Sequence, residues 1–465
     1  MNLPPEVEAL IAAQAREIER LRAEVAELRR RLGLDSSNSS KPPSSDGLKK
    51  KPRVLKSLRT RTGKPSGGQK GHDGDTLRQV AEPDAIIEHA AEVCAHCRAA
   101  LAADSKVGEE RRQVFDLPEK PLIVTEHRAA VHDCPACRRR TRAAFPAGVV
   151  SPAQYGERFK AAAVYLNAQQ LVPEERTAQV LRDLFGAAAA CGASVASWVR
   201  RKAEALEPVW RGIGACVAAA PVRCLDETGL RIAGATRWLH TASTLTHTFY
   251  RAGEPRSAVP ALEGGVVVHD HWRAYYALEN VLHAFCNAHL LRELQAVCDL
   301  DKEPWAEALR ATLLEANQAV QKAKAEGAAA LPPETIKAFE DRYWAAVREG
   351  LALHRSLPPF DPAKSSKKRK KRRPAHNLLI RFKTFKDATL RFLTDFTVPF
   401  TNNLAEQDLR MMKVKIKISG GFRTLQGAED FARLRSVISS ARKQGRDILT
   451  ALTLGPDQLA VELNL

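Results

Sequence analysis

The sequence lacks any apolar stretch that approaches the roughly 18 residues of a membrane-spanning helix. Its N-terminus carries Glu6 and Glu8 where a secretory signal would carry Lys or Arg, so we expect no export. The nine cysteines are an odd number in a long chain without such a signal, which favours a reducing cytoplasm over a disulfide scaffold. A glycine-rich phosphate loop of the Walker type is also missing, and we predict no ATP requirement.

Acidic residues are too few to balance the basic ones. The 465 residues include 72 Lys and Arg against 54 Asp and Glu, a net charge of +18. The excess lies in Lys41–His72 (+9), Lys364–Arg373 (+8) and His376–Arg446 (+8). This length predicts several domains, and the basic balance favours a polyanionic partner, most simply nucleic acid.

Residues 6–32 predict a helix with a heptad seam. Apolar residues alternate between a and d positions, with polar Gln14 between them: Val7, Ile11, Ile18, Leu21, Val25, Leu28 and Leu32. A seam of about four heptads is enough for a coiled coil, so we expect self-association through this segment. The alternative is an amphipathic helix that lies on its own domain, but nothing else in the first 72 residues could cover the seam.

Residues 35–72 have almost no apolar content and cannot form a core. We expect a flexible basic arm that tracks phosphates, since bound Lys and Arg release counterions from nucleic acid. A solvated linker is the alternative. The second basic run, Lys364–Arg373, predicts an exposed loop.

Two Cys-x-x-Cys pairs predict one structural zinc ion with four ligands: Cys94, Cys97, Cys134 and Cys137. The spacing within residues 73–150 suits a zinc ribbon, with strands expected at Arg112–Phe115 and Leu122–Thr125. A redox function is disfavoured because no βαβ pattern surrounds the pairs. His96 and His132 are possible substitute ligands. The other cysteines are expected to be ordinary thiols: Cys191, Cys216, Cys224, Cys286 and Cys298.

Residues 151–220 are Ala-rich and helical in pattern. Pro173–Leu184 predicts one helix, and Ser194 is a candidate N-cap of a second. This resembles a helix-turn-helix whose second helix presents Arg200 and Arg201 to DNA. Two packed helices without a DNA contact are the alternative.

Two apolar runs that each end in aspartate dominate the region after residue 220. The predicted strands are Val222–Asp226, Thr236–Thr241, Thr246–Tyr250 and Gly265–Asp270. On a basic chain, two such runs in one sheet favour convergence of Asp226 and Asp270. For each acid taken alone, an N-cap, a surface acid or a salt bridge is the commoner outcome.

A predicted helix at residues 401–410 offers a third acid, Glu406. Asn402 and Asn403 precede it by one turn and Arg410 follows by one turn, so all three are expected to share its face. Asp408 should point elsewhere, because two residues turn a helical side chain by about 200°.

Three convergent carboxylates predict a two-metal site for phosphodiester chemistry, since Mg²⁺ or Mn²⁺ requires hard oxygen ligands. Asp226 would bridge two ions, while Asp270 and Glu406 would each hold one. One ion activates the attacking water or 3′-hydroxyl, and the other stabilises the leaving oxygen.

The sequence resembles bacterial transposases of the insertion-sequence sixty-six type over nearly its whole length. The motifs that carry the resemblance are the two cysteine pairs, Ser36–Asp46, Gly67–His72, Leu225–Thr228, Asn402–Arg410 and Gly420-Gly421. The block Cys286–Arg292 also resembles one that follows the second Asp in that family. Its role is open, and His289 within it is either a supporting residue of the site or a core histidine.

The resemblance implies a multidomain α/β fold with a ribonuclease H-like core, a DDE triad at Asp226, Asp270 and Glu406, and a helical insertion before the glutamate. The expected divisions are residues 1–34 (coiled coil), 35–72 (disordered arm), 73–150 (zinc ribbon), 151–220 (helix-turn-helix-like), 221–445 (catalytic, insertion at about 300–375) and 446–465 (tail).

Expected DNA contacts are Arg200, Arg201, Arg410, Lys413, Lys415 and Arg423. Expected partners are double-stranded DNA of element ends and target, a second copy of the chain, and accessory proteins of the same element. We expect a nucleoid-associated protein of the bacterial cytoplasm, with no membrane partner.

Two other functions compete with strand cleavage and joining. One is DNA binding without catalysis, as in a decayed or domesticated transposase. The other is a small-molecule metallohydrolase that uses His269, His271 and Asp270, because a His-x-His pair at a strand end can bind zinc. The second leaves the net charge, the coiled coil and the cysteine pairs unexplained.

Overall fold

The structure is a computed structural model that describes most of the chain outside the two basic segments. The described residues are 4–35, 38–39, 77–89, 91–96, 98–101, 107–118, 122–258, 262, 264–357 and 372–465. Most of the predicted arm (35–72) and of the run Lys364–Arg373 lies outside them, as does Cys97.

The N-terminal segment forms the predicted helix, α1 (Pro5–Gly33). Proline in the first turn and acidic residues there suit a helix N-terminus, which carries unpaired N–H groups and partial positive charge. At its other end Arg30 Nε lies 3.3 Å from Asp301, and Gly33 packs against Leu300. The seam residues are 39–80% exposed: Val7, Ile11, Ile18, Leu21, Val25, Leu28 and Leu32.

The cysteine-pair region contains one short hairpin, β1 (Val131–Asp133) and β2 (Arg140–Arg142), on either side of the second pair. The strands predicted at Arg112–Phe115 and Leu122–Thr125 are wrong. Both segments are irregular and neither pairs with another strand in the described part of the chain. Val114, Phe115, Ile123 and Val124 are exposed, so a β-type composition has little packing surface there, although Leu122 packs against the helices that follow.

The next region is helical, as predicted. It contains α2 (Glu157–Val164), continued by a π-helical turn, then α3 (Glu174–Phe185), α4 (Gly192–Ala205) and α5 (Glu207–Ala219). The predicted N-cap of the second helix is wrong, because α4 begins two residues before Ser194 and Cys191 holds the cap position.

The central sheet contains the four predicted strands and one more. They are β3 (Val222–Ile232), β4 (Ala235–Ser243), β5 (Thr248–Glu254), β6 (Val266–His269) and β7 (Leu282–Phe285). The order is β5-β4-β3-β6-β7. Strands β3, β4 and β5 are antiparallel neighbours, whereas β3, β6 and β7 run parallel.

Helices surround the sheet and fill the predicted insertion. They are α6 (Asn287–Ala296), α7 (Pro304–Ala325), α8 (Pro333–Ser356), α9 (Pro374–Thr384), α10 (Lys386–Thr394), α11 (Asn403–Ser419), α12 (Leu425–Lys443), α13 (Ile448–Thr453) and α14 (Pro456–Glu462). Helices α7 and α8 lie in the range predicted for the insertion and pack around a core that includes Trp305 and Tyr343. The sequence of Val414–Ile418 alternates apolar and charged residues and predicts a strand, but this prediction is wrong because the stretch lies within α11.

The two faces of the sheet contact different helices. Leu225 and Val267 pack in a cluster with α5 and α12. Cys224 and Val268 pack on the opposite face with Ala405 of α11. Because side chains alternate along a strand, Asp226 lies on the face that α11 covers.

Candidate active site

Asp226 and Asp270 lie side by side because of the register between two parallel strands. Cys224 of β3 pairs with Val268 of β6, so the residues two positions later fall opposite each other. Strand β6 ends at His269, and Asp270 follows it directly. The backbone N–H of Trp272 donates to the Asp270 carboxylate at 2.9 Å. Asp270 is therefore close enough to Asp226, where β6 ends beside β3, for its charge to raise the pKa of the Asp226 carboxyl.

Glu406 is brought to this point by Asn402, which precedes α11. The Asn402 side chain donates to the carbonyl oxygen of Leu225 at 2.7 Å, one residue before Asp226. The Asn402 carbonyl accepts from the Glu406 N–H at 3.2 Å, so it begins the helical turn that carries the acid. Asn402 thereby joins the first and third predicted acids of the site.

Cys286 connects Asn402 with the second aspartate. Its N–H donates to the His269 carbonyl at 2.9 Å, one residue before Asp270. Its thiol accepts from the Asn402 N–H at 3.1 Å and lies 3.9 Å from Glu406 Oε1. Cys286 is a buried free thiol, and its contacts connect the segment that carries Asp270 with the segment that carries Glu406.

The two asparagines before Glu406 differ in environment, contrary to the expectation that both share its face. Asn402 is only 2% exposed, whereas Asn403 begins α11 and its side chain is exposed. The residue before a helix and its first residue point in different directions. Asn402 is therefore the supporting residue, and Asn403 faces solvent.

Burial and nearby negative charge hold both aspartates partly protonated. Burial, then the charge of Glu227, raises the pKa of Asp226 to about 7, and Glu406 and Asp270 add to this increase. The same two leading causes raise the pKa of Asp270 to about 6. Several carboxylates in so small a space repel one another, which is the electrostatic condition that a bound cation relieves.

The donor set suits hard divalent ions. The oxygens of Asp226, Asp270 and Glu406 do not all lie within 4.8 Å of one another. Mg²⁺ or Mn²⁺ prefers such oxygen ligands.

Glu227 is a buried neighbour that the sequence did not single out as part of the site. It lies on the opposite face from Asp226, where Arg256 donates to its Oε1 from Nε and Nη2 at 3.0 and 2.9 Å. The Tyr275 hydroxyl donates to the other oxygen. The Arg256 guanidinium also lies 3.6 Å from the ring centre of Trp272. This paired carboxylate therefore stabilises the strand that carries Asp226.

Asp408 points away from Glu406, as predicted. Its carboxylate accepts from Ser243 Oγ at 2.6 Å, from Thr248 Oγ1 at 2.9 Å and from Lys443 Nζ at 2.8 Å. Asp408 thus ties α11 to the sheet and to α12.

The histidines on either side of Asp270 are engaged in hydrogen bonds. His269 Nδ1 contacts the Asp270 carbonyl, and its Nε2 lies 2.9 Å from His283 Nδ1. His271 Nδ1 contacts the Tyr276 hydroxyl. Both nitrogens of His269 are thus occupied, which argues against a zinc ion held by the His-x-His pair.

The described residues at the two cysteine pairs make the same backbone hydrogen bond. Arg98 N–H donates to the Cys94 carbonyl at 3.0 Å, and Arg138 N–H donates to the Cys134 carbonyl at 2.7 Å. Both arginines have left-handed φ, 60° and 56°. The N–H groups of Cys137 and Ala136 lower the pKa of the Cys134 thiol. A repeated turn of this kind is consistent with paired zinc knuckles, although Cys97 lies outside the described residues.

The basic residues expected at DNA differ in exposure. Arg200, Arg201, Arg410, Lys413 and Arg423 have exposed side chains, and Arg200 pairs with Glu204 at 2.8 Å. Lys415 is 9% exposed, and its ammonium lies 5.8 Å from the Phe422 ring centre. Burial lowers its pKa. The expected DNA contact at Lys415 is therefore not compatible with its position in the core.

The fold and this site define an α/β protein with a carboxylate cluster at the edge of a mixed sheet. The model of the transposase IS66 family matches residues 152–430, more than half of the chain. The zinc-finger binding domain of transposase IS66 matches residues 91–138, and a family of unknown function (DUF6444) matches residues 2–78. No curated protein and no solved structure matches the chain. The chain belongs to the IS66 transposase family.

The zinc-finger match supports one structural zinc ion and a DNA partner. Among the described helices, none combines the length and the apolar composition needed to cross a membrane.

Proposed function

We propose that this transposase works by a DDE mechanism: it binds the double-stranded ends of its mobile element, cleaves them with water, and joins the freed 3′-hydroxyl to target DNA. The observation that supports the proposal is the set of hydrogen bonds by which Asn402 and Cys286 connect the segments that carry Asp226, Asp270 and Glu406. The charges of Asp270 and Glu406 also act on Asp226. We also propose that the protein acts in the bacterial cytoplasm, in association with the nucleoid.

Two Mg²⁺ or Mn²⁺ ions complete the proposed site. Asp226 would contact both ions, while Asp270 and Glu406 would each hold one. When bound, the ions activate the attacking oxygen and stabilise the leaving oxygen of the phosphodiester. The protein's own part is to hold the carboxylates in place and to release the protons that Asp226 and Asp270 retain without metal.

We propose that the residues after 220 form a ribonuclease H-like core with α7 and α8 as its helical insertion. The mixed sheet and the acid on its central strand are compatible with that fold. The zinc-ribbon region (73–150) and the helical region (151–220) would precede it as separate units.

The DNA-binding surface would combine the basic arm with exposed cations near the acids. Arg410, Lys413 and Arg423 follow Glu406 in sequence and are exposed, whereas Lys415 is excluded by its burial. Arg200 and Arg201 on α4 are a second candidate patch. Phosphates attract all of these side chains without regard to base sequence.

Substitution of Lys413 by alanine should weaken DNA binding and reduce its salt dependence. Loss of one phosphate contact lowers the slope of log affinity against log salt concentration by about 1. Lys415→Ala on the same helix is the matched control, because its side chain is buried and should leave the slope unchanged. A titration of labelled duplex at several salt concentrations measures both. Equal slopes for Lys413→Ala and the wild type would contradict the proposed surface.

We propose that two copies associate through α1. The seam residues are exposed over about four heptads, and burial against a second seam would remove them from water. Two copies would also allow two element ends to be held together. Accessory proteins of the same element remain further proposed partners.

The rate of cleavage should increase with pH, because the carboxyl groups must lose protons before they bind metal. Metal binding requires the charged forms of Asp226 and Asp270, whose pKa values are about 7 and 6. At limiting Mg²⁺, we expect cleavage to rise roughly tenfold per pH unit between about pH 6 and 7, where one carboxyl titrates, and up to about a hundredfold per unit below pH 6, where both titrate. More Mg²⁺ should move this rise to lower pH. A profile that is flat from about pH 5.5 to 8, or unaffected by Mg²⁺, would count against the assignment.

The experiment that tests the function uses DNA carrying the ends of the element that encodes the protein. Wild-type protein should nick these ends with Mg²⁺ or Mn²⁺ and should not do so after chelation. Tight, salt-sensitive binding without a cleavage product under either metal would instead favour the non-catalytic DNA-binding protein.

A further inference from the structure

A second group of metal-binding side chains lies beside the aspartates. In the described part of the chain, Cys286, His289 and Glu406 are the residues whose S, N and O donor atoms all lie within 4.8 Å of one another. Cys286 immediately precedes α6, and His289 lies in the first turn of that helix. Glu406 lies in the first turn of α11. The donor atoms of a Cys-x-x-His pair at the start of one helix and of a glutamate on another helix therefore lie close together.

The distances fit one small ion with little rearrangement. Glu406 Oε1 lies 3.9 Å from the Cys286 sulfur and 3.7 Å from His289 Nδ1. Around a tetrahedral zinc ion with bonds of about 2.0–2.3 Å, such donor atoms would be separated by roughly 3.4–3.8 Å. Small side-chain rotations would close the remaining gap.

The environment of the His289 nitrogen and of the Cys286 sulfur favours binding of a metal ion. His289 Nδ1 is buried and makes no hydrogen bond among the described residues. The Cys286 sulfur accepts the Asn402 N–H at 3.1 Å, and the N–H groups of Ala288 and His289 also act on it. Such N–H groups stabilise a metal-bound thiolate. A buried imidazole nitrogen without a partner is costly unless something binds it.

We propose that Cys286, His289 and Glu406 bind one borderline-soft divalent ion, for which Zn²⁺ is the probe, separately from the ribbon. Sulfur and imidazole nitrogen select zinc-like ions, whereas the all-oxygen pair Asp226 and Asp270 suits Mg²⁺. Binding forms metal–sulfur, metal–nitrogen and metal–oxygen bonds and releases the thiol proton to solvent. Glu406 belongs to both sets, so its capture by Zn²⁺ would withdraw it from the magnesium site. This regulatory consequence rests on the proposed function, but the binding does not.

Co²⁺ uptake by full-length protein whose ribbon is already loaded with Zn²⁺ tests the binding. The wild type should take up Co²⁺ that shows the near-ultraviolet charge-transfer band of one thiolate ligand, which Co²⁺ bound to carboxylates alone does not show. Cys286→Ser should lose that band, His289→Ala should weaken or lose it, and Cys298→Ser should retain it as the matched thiol control. No such band in the wild type, or the same band in Cys286→Ser and His289→Ala, would overturn the proposal.

Inhibition is measured separately. Zn²⁺ added to Mg²⁺-driven cleavage should reduce the wild-type rate at least roughly tenfold, which corresponds to about 1.4 kcal/mol. His289→Ala, compared with its own zinc-free rate, should be much less sensitive. Equal inhibition of both would overturn the regulatory consequence. A wild type that binds Co²⁺ but never cleaves DNA would refute the proposed function and leave the metal site standing.

Discussion

Replacement of Asp226 by asparagine is expected to lower strand cleavage by roughly a thousandfold, about 4 kcal/mol of activation free energy. Asp226 is the residue assigned to both metal ions, and an uncharged amide of the same shape is a much weaker ligand for them. The Glu227 N–H, which donates to the Asp226 carboxylate at 2.9 Å, can donate to the amide oxygen instead. The fold should therefore persist, and metal-dependent cleavage of end DNA is the measurement.

The same substitution should make the metal-free protein more stable. Because the folded-state pKa of Asp226 is about 7, against 3.8 ordinarily, the folded state favours the neutral acid. Its contribution to stability is greatest below the ordinary value and is lost as pH rises through about 7. At pH 8 the charged group is a penalty, and its removal should add on the order of 2 kcal/mol to the free energy of unfolding.

Urea unfolding in the presence of a chelator checks this gain. Asp408→Asn is the control with the opposite sign, since it removes the acceptor of Lys443, Ser243 and Thr248. It should lower the free energy of unfolding. A lower free energy of unfolding for Asp226→Asn would show that the Asp226 carboxylate stabilises the fold and does not serve mainly as a metal ligand.

Replacement of Asn402 by alanine is expected to reduce cleavage by roughly a hundredfold, about 3 kcal/mol. Its side chain holds the strand before Asp226, and its backbone begins the turn that carries Glu406. Without the amide, the buried Leu225 carbonyl loses its donor, and the glutamate is free to shift against the aspartates. Loss of one buried hydrogen bond should also cost about 1–3 kcal/mol of stability.

Asn403→Ala is the matched control for this prediction. It removes the same group one residue later, where the side chain is exposed, and should change neither cleavage nor stability appreciably. A raised Mg²⁺ requirement in Asn402→Ala alone would indicate misplaced ligands. Equal losses in both variants, or none in Asn402→Ala, would remove Asn402 from its positioning role.

The strands that carry the aspartates could be predicted because their sequences show which residues are buried and where the strand ends. An apolar run followed by an acid, as in Val222–Asp226, indicates a buried strand that ends at a polar site, and the register of β3 and β6 then fixes the neighbours. The choice between Asn402 and Asn403 could not be predicted. It depends on the residue at which α11 begins, and sequence patterns locate helix ends poorly.

Two errors have a tertiary cause. Val414–Ile418 alternates β-branched and charged residues like a strand, but Leu409 and Met412 at helical spacing anchor the segment to the sheet. Lys415 then falls on the buried side, where its stem packs near aromatic rings.

The contacts of the Cys286 thiol could not be predicted from the neighbouring sequence, because Asn402 and Glu406 lie more than a hundred residues away in the chain.

The central claim is that three acids of one site perform both cleavage and joining, and one assay tests it most directly. Wild-type protein and Asp226→Ala are incubated with end DNA, a target plasmid and Mg²⁺, and the joined products are sequenced across their junctions. The account predicts element ends joined to the target through their 3′-hydroxyls by the wild type, and none by Asp226→Ala at equal DNA binding. Unchanged joining by Asp226→Ala, or joining that survives chelation of the metal, would contradict it.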